Sequence, residues 1–139
     1  MSNTKKPLAV RLAPDTIEHL QRRAREARET QTTLVERYIE EGLRTDEHPL
    51  IYFRAGAAGR RPALVGTRLD VWQVIETIRQ NSSSIEAAAE YLAVPVDKVQ
   101  ACVRYYADYR DEIDDWAELV HAVAAREEAS WRRQEELLA

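Results

Sequence analysis

The feature that most constrains this chain is a single alternating segment near its start that is followed directly by helical sequence. In residues 7–13 (PLAVRLA), Leu8, Val10 and Leu12 occupy every second position, which is the pattern of a half-buried strand. A lone strand leaves both edges unpaired, and a unit of about 45 residues buries little apolar surface alone. We therefore expect two copies to associate, with their strands paired antiparallel and their helices sharing one core.

Two amphipathic helices are predicted after this segment. The first is predicted at residues 14–28. Pro14 is tolerated at a first helical position, and the negative charge of Asp15 in the first turn interacts favourably with the helix dipole. The second begins at Thr33, which has the spacing of a capping box with Glu36. The first domain therefore has the order strand–helix–helix.

The opposite face of the strand is expected to form a basic ribbon on the dimer. That face carries Pro7, Ala9 and Arg11, and Lys5 and Lys6 lie just before it. The first thirty residues hold seven Lys or Arg against four Asp or Glu, so this end of the chain is positive. A two-stranded ribbon of this kind fits the major groove of double-stranded DNA.

The run VRLAPDTIEHL…TTLVERYIEEGL resembles the ribbon-helix-helix family of bacterial repressors and antitoxins, which includes Arc and MetJ. This resemblance implies that Pro7, Ala9 and Arg11 face the bases. It also implies that Thr32 and Thr33 bind phosphate through their backbone N–H groups at the start of the second helix. The alternative is that the strand and helices form a plain dimerisation module.

The middle of the chain is predicted to form a loose β-hairpin and then a helix-turn-helix. The hairpin strands are expected at residues 50–53 and 63–65, and Ser84 is expected to cap the second of three following helices. The predicted apolar faces of the three helices are Val71, Val74, Ile75 and Ile78; Ala87, Ala88, Tyr91 and Leu92; and Val99, Cys102, Val103 and Tyr106.

Four phrases in this middle part resemble the domain-of-unknown-function family DUF433: GRRP at 59–62, GTR at 66–68, SIEAAAEY at 84–91 and VRYY at 103–106. The resemblance implies an association with VapB-like antitoxins and with toxins of the PIN-like ribonuclease type. The GTR phrase is interpreted as structural, with Thr67 able to cap the next helix. Asp70 stands where the family pattern has an apolar residue.

The last residues are predicted to form one acidic helix, with three basic and nine acidic residues in 111–139. Its apolar stripe of Ile113, Trp116, Val120 and Val123 fails beyond Arg126. Trp131, Arg132 and Arg133 are the predicted toxin-binding residues, because Trp and Arg are enriched among binding hot spots. Alternatively, Trp131 packs on its own domain or on a second copy of the chain.

No catalytic residue, metal ligand or cofactor is predicted. The three histidines have no metal-ligand spacing, Cys102 has no cysteine partner, and no phosphate-binding glycine loop or nucleophile motif occurs. No apolar run reaches the roughly 18 residues that span a bilayer. The sequence therefore predicts a cytoplasmic protein that is not an enzyme and binds no membrane.

The predicted fold class is mainly α, with a ribbon-helix-helix whose strand pairs across a dimer, a short hairpin, a helix-turn-helix and a long C-terminal helix. The expected domains are residues 1–46, 47–110 and 111–139. The predicted function is that of a dimeric antitoxin of a type II toxin-antitoxin module. It would repress its own promoter, with higher oligomers possible on the DNA, and neutralise a cognate ribonuclease toxin. The alternatives are a stand-alone dimeric regulator and an assembly or partition adaptor that does not bind DNA.

Overall fold

The computed structural model describes residues 4–56 and 59–139, which form six helices and one two-stranded antiparallel sheet. In chain order the elements are α1 (Pro14–Ala27), α2 (Gln31–Glu47), β1 (Ile51–Gly56), β2 (Gly59–Leu64), α3 (Val71–Gln80), α4 (Ile85–Leu92), α5 (Val96–Asp108) and α6 (Arg110–Leu138). The mainly helical class, the central hairpin and the long C-terminal helix are confirmed. The chain divides into two compact units, unit 1 (Met1–Leu43) and unit 2 (Arg44–Ala139).

Helix α2 begins two residues earlier than predicted. The backbone N–H of Thr33 donates to Thr30 Oγ1 at 3.1 Å, and Leu34 N–H donates to the Thr30 carbonyl at 3.1 Å. This is the bonding pattern of an N-cap, so Thr30 caps the helix and Thr33 lies inside its first turn. The prediction that Thr33 caps this helix is wrong, because the polar run before it offered a second threonine three residues upstream.

The predicted strand at residues 7–13 lies outside every helix and strand of the described single chain. A strand is defined by hydrogen bonds to a neighbouring strand, and the prediction places that neighbour on a second copy. The alternating side chains Leu8, Val10 and Leu12 are 79%, 65% and 45% exposed. The paired ribbon therefore stays a prediction.

The β-hairpin is longer than predicted. Strands β1 and β2 pair along their whole length, with Ile51 opposite Leu64, Phe53 opposite Pro62 and Gly56 opposite Gly59. The predicted strands covered only the apolar ends, because the arginines and glycines between them do not have a strand-like pattern. Pairing with a neighbour, rather than local pattern, extends both strands inward.

The core of unit 2 lies between the hairpin and helices α3 to α6. Its buried members include Ile51, Leu64, Val71, Val74, Ile75, Ile78, Ala88, Ala89, Val99, Cys102, Tyr105 and Ile113. The predicted face of α3 is confirmed, and so is the Ser84 cap, whose Oγ accepts from Ala87 N–H at 3.1 Å.

Two predicted core positions in unit 2 are wrong, one by two residues and one by one residue. Tyr91 was expected on the packed face of α4 but is 74% exposed, and Ala89 is buried there instead. On α5, Tyr105 is fully buried, whereas the predicted Tyr106 is half-buried. Small errors in helical phase are enough to exchange neighbouring residues between faces, because each residue advances the face by about 100°.

Helix α6 packs on unit 2 only along its first third. Ile113 is buried, Trp116 and Val120 are half-buried, and from residue 121 onward every residue except Ser130 is exposed. Among the described residues, none of the helices combines the length and the apolar character needed to cross a bilayer.

Candidate functional site

Unit 1 presents an open apolar groove of about 610 Å³ on its surface. The groove is lined by Val10, Leu12, Thr16, His19, Leu20, Arg23, Val35, Tyr38 and Ile39. Among residues 4–43 the buried hydrophobic residues are Ala24 and Leu34. Most of the large apolar side chains of unit 1 therefore face solvent in the single chain. These are the side chains that the sequence pattern predicts to form a core shared by two copies.

A second shallow concavity of unit 1 brings three of the predicted DNA-binding residues together. Lys5, Lys6 and Thr33 line it, and it has a volume of about 620 Å³. Glu36 and Glu40 line it as well, so its charge is mixed. Lys5 Nζ lies 3.0 Å from Glu36 Oε2, and both side chains are more than half exposed.

The remaining predicted DNA-binding residues do not line this concavity. Pro7, Ala9 and Arg11 are exposed on the extended segment before α1, and Thr32 is exposed in the first turn of α2. The backbone N–H of Thr33 already has an acceptor on Thr30. The phosphate role expected for Thr33 is therefore not supported by its hydrogen bonding.

An ion pair holds the turn between α1 and α2 against the second helix. Arg37 Nη1 donates to both carboxylate oxygens of Glu29, at 2.8 and 2.9 Å, and the two side chains are about one-quarter and one-third exposed. Arg28, the residue before Glu29, has a φ of 55°, in the left-handed region. The pair therefore fixes the chain reversal that leads into the start of α2.

In unit 2, the buried carboxylate of Asp70 contacts two arginine side chains and one tryptophan side chain. Arg54 Nη2 lies 2.7 Å from Asp70 Oδ1, and Trp72 Nε1 donates to Oδ2 at 3.2 Å. Arg61 Nε lies 2.8 Å from Oδ2, an ion-pair distance at an angle too poor for a hydrogen bond. Asp70 is only 4% exposed. Its carboxylate therefore ties both hairpin strands to the start of α3.

The backbone N–H of Asp70 also has a local partner, since it donates to Gln73 Oε1 at 2.8 Å. Asp70 is the N-cap of α3 and Gln73 its third helical residue, so this bond is the N3 side-chain half of a capping box. Sequence reasoning missed the role of Asp70, although a signal existed. An acidic residue stood at a position where the family pattern has an apolar one.

The GTR phrase forms a tight turn between β2 and α3. Gly66 has a φ of 77°, which L side chains rarely adopt. The Thr67 hydroxyl donates to the Leu64 carbonyl at 2.8 Å and accepts from Leu69 N–H at 3.0 Å. Thr67 therefore closes the turn, and the expectation that it caps α3 is wrong. Arg68 is exposed beside it.

Arg44, the first residue of unit 2, contacts the core of that unit. Its Nη1 donates to Tyr105 Oη at 3.0 Å and to Glu112 Oε2 at 2.6 Å, and its guanidinium lies 4.0 Å from the ring centre of Tyr109. Burial raises the pKa of Tyr105 to about 12, although the hydrogen bond from Arg44 opposes the shift. Sequence patterns gave no signal for this cluster, because Arg44 lies 61 and 68 residues from its hydrogen-bond partners Tyr105 and Glu112.

The single cysteine of the chain is not a reactive thiol. Cys102 is fully buried, and this burial raises its pKa to about 12. The thiol is therefore protonated at neutral pH, and a thiol rather than a thiolate is a poor nucleophile.

Helix α5, the last helix of the predicted helix-turn-helix, offers few cations to a nucleic acid. Asp97 and Arg104 are exposed, Ala101 is buried, and Lys98 Nζ lies 3.4 Å from the Val65 carbonyl. These contacts give no positive surface along the helix.

The three predicted toxin-binding residues lie on the exposed part of α6. Trp131 is 57% exposed, and Arg132 pairs with Glu128 one turn earlier on the same helix. Consecutive helical residues point about 100° apart, so Trp131, Arg132 and Arg133 do not share one face. Trp131 continues the line of the apolar stripe, while the arginines flank it on other sides.

The geometry thus defines a mainly helical protein whose described first unit buries few apolar side chains and whose second unit holds a buried core. Residues 51–106 match the model of the family described as "Protein of unknown function (DUF433)". This match confirms the expected resemblance over the hairpin and helices α3 to α5. The chain has no match among curated proteins or solved structures.

Proposed function

We propose that this chain is a dimeric DNA-binding antitoxin that represses its own promoter and neutralises a ribonuclease toxin of the PIN-like type. The observation that carries the proposal is the open apolar face of unit 1. A unit that exposes these side chains needs a second copy to complete its core, and the resemblance to ribbon-helix-helix repressors supplies the form of that dimer.

The apolar residues of unit 1 supply enough driving force for association. The large hydrophobic residues exposed there are Leu8, Val10, Leu12, Ile17, Tyr38, Ile39 and Leu43. Burying one such side chain fully stabilises by about 1.5–3 kcal/mol, and two chains contribute to a two-fold interface. That total exceeds the roughly 4–15 kcal/mol that association costs in lost freedom and ordering.

The proposed DNA-contacting face carries Lys5, Lys6 and Arg11. The ion pair between Lys5 and Glu36 is solvent-exposed, so opening it toward a phosphate costs little. Arg11 is the candidate for reading a base edge, because a guanidinium donates two hydrogen bonds to guanine. Pro7 and Ala9 have no side-chain donors, so their contribution would be contact and groove shape.

The proposed toxin contact is the exposed part of α6. Metal-dependent ribonucleases of the type implied by the resemblance have acidic active sites, and Arg132 or Arg133 would pair with those carboxylates while Trp131 anchors the helix. A chain truncated after Ala125 should then lose neutralisation of the toxin. Full neutralisation by the truncated chain would contradict this part of the proposal.

The DNA-binding part is tested by fluorescence anisotropy with the DNA upstream of the gene and a scrambled duplex, each at two salt concentrations. If a dimer neutralises about six to eight phosphates, log K should fall against log salt with a slope of roughly −5 to −7. Arg11→Ala should weaken specific binding by about 1–3 kcal/mol per lost contact. Arg68→Ala, which removes an exposed arginine from unit 2, is the matched control and should leave binding unchanged.

The two alternative functions predict different results in the same assay. An assembly or partition adaptor would bind both duplexes equally or not at all, which would reduce unit 1 to a dimerisation module. A stand-alone regulator would bind its DNA selectively, but its α6 truncation would change no toxin phenotype.

A further inference from the structure

Three metal-ligating side chains converge in unit 2 at a place that the proposed function does not use. Glu47 ends α2, His48 follows it, and Asp108 ends α5. One ligand atom from each lies within 4.8 Å of the others. His48 Nε2 is 2.8 Å from Asp108 Oδ2. His48 and Asp108 are 60 positions apart in the sequence, so only the fold brings them together.

The imidazole of His48 is held in place by its surroundings. Its side chain is only 10% exposed, and its ring packs edge-on against Tyr105 and Tyr109, with ring centres 5.1 and 6.1 Å away. The two carboxylates are exposed and can adjust. The arrangement is therefore one fixed nitrogen ligand with two adaptable oxygen ligands.

The electrostatic setting favours a cation with more than one charge. Glu47 and Asp108 stand at the C-terminal ends of two helices, where unpaired carbonyl groups carry partial negative charge. Arg104 lines a shallow concavity together with Glu47 and His48 but is exposed on α5. Arg44 is bound to Glu112 and Tyr105. The two carboxylates therefore keep a net negative charge for a divalent ion.

We infer that Glu47, His48 and Asp108 form a binding site for a divalent transition-metal ion of the zinc class. Ligand atoms around tetrahedral zinc lie about 3.3 Å apart, given bond lengths of roughly 2.0–2.2 Å. The ligand atoms lie within 4.8 Å of one another. Reaching the tetrahedral spacing therefore requires shifts of up to about 1.5 Å, which two exposed carboxylates can make. One imidazole with two carboxylates suits zinc, whereas calcium and magnesium take six or more oxygen ligands. Water would complete the coordination.

The test is isothermal titration of the tag-free full chain with zinc, together with the visible absorption of cobalt bound in its place. We expect one ion per chain and cobalt bands typical of a site with four or five ligands. His48→Ala, Glu47→Gln and Asp108→Asn should each weaken zinc binding by roughly 10- to 100-fold or more. His121→Ala is the matched control, because His121 is an exposed histidine of the same unit paired with Glu76, and it should change nothing.

Two results would overturn the inference. One is the absence of saturable zinc binding at micromolar protein, and the other is binding that the Glu47→Gln and Asp108→Asn variants leave unchanged. Since His48 is largely buried, circular dichroism checks that His48→Ala is folded. If His48→Ala is not folded, the Glu47→Gln and Asp108→Asn variants, which change exposed positions, decide whether the zinc site exists. The outcome is separate from DNA binding, because all three ligands lie in unit 2.

Discussion

The two units of this chain solve the problem of burying apolar surface in different ways. Among the described residues, unit 2 holds fourteen buried hydrophobic residues and unit 1 holds two. Unit 1 nevertheless contains the 14-residue α1 and most of the 17-residue α2, with apolar positions at helical spacing. Amphipathic helices therefore do not guarantee a core within one chain. The comparison teaches that unit 2 buries a core within one chain, whereas the described part of unit 1 leaves most of its large apolar side chains exposed.

Charged residues also differ between the units. In unit 1 the ion pair between Lys5 and Glu36 is at the surface, and exposed pairs contribute little to stability. In unit 2 the carboxylate of Asp70 is buried among arginines, where breaking a pair leaves an uncompensated charge. Stability should therefore depend on protein concentration for unit 1 and on internal polar contacts for unit 2.

The largest expected effect comes from a charge placed in the open groove of unit 1. Ile39→Lys places an ammonium group in the proposed dimer interface, and a two-fold dimer would bury two of them, one from each chain. We expect the dimer to lose about 4 kcal/mol or more of stability, which corresponds to a roughly 1,000-fold weaker association. Sedimentation equilibrium measures the dimer. Tyr91→Lys, at an exposed position of unit 2, is the control and should leave association unchanged. A dimer that tolerates Ile39→Lys would break the contrast between the units.

The second effect concerns the buried carboxylate of unit 2. Asp70→Asn leaves Arg54 and Arg61 without their counterion, and we expect a loss of about 3 kcal/mol in the free energy of unfolding. Breaking a buried ion pair costs about 3–5 kcal/mol. We expect a value at the lower end of that range because both arginine side chains are about one-quarter exposed. Urea unfolding of the variant measures it.

Asp97→Asn serves as the control for this substitution, because Asp97 is exposed in the first turn of α5. Its unfolding free energy should change by less than about 0.5 kcal/mol. Equal midpoints for the Asp70→Asn variant and the wild type would mean that the Asp70 cluster does not stabilise unit 2.

The third effect is a pH dependence that only unit 2 should show. Burial raises the pKa of Cys102 from 9.0 to about 12. Below pH 9 the thiol is protonated in both states and has no effect on stability. Above pH 9 the unfolded state loses the proton while the folded state keeps it, so stability falls as the pH rises toward 12.

Between pH 9 and 11 this should remove about 2 kcal/mol from the free energy of unfolding, since one ionising group contributes about 1.4 kcal/mol per pH unit. Cys102→Ala lowers stability at every pH through the cavity it leaves, but its stability should fall less steeply over the same interval. Tyr105, whose pKa is also raised by burial, is present in both proteins and cancels in the comparison. Parallel pH profiles for the two proteins would contradict the expectation.

Local patterns predicted the elements of this fold better than its contacts. The face of α3 and the Ser84 cap follow from spacing within one helix, so the sequence was sufficient for them. The inward extension of the hairpin depends on pairing between strands, and the partners of Asp70 lie up to 16 residues away. Periodicity carries no information about such pairs. For the same reason, the ribbon of unit 1 stays a prediction, since its partner would be another chain.

The smallest expected effect sharpens the boundary of unit 2 along α6. Beyond Val120 the helix makes no packing that buries a residue, so removing residues 126–139 should change the free energy of unfolding of unit 2 by less than about 0.5 kcal/mol. Ile113→Ala, at a buried position of the same helix, should cost about 2–4 kcal/mol and is the matched comparison. A large loss on truncation would mean that the exposed part of α6 is covered in solution, by a second copy if the loss depends on protein concentration. A negligible loss would leave that part of the helix free for a different partner, which is what the antitoxin proposal requires.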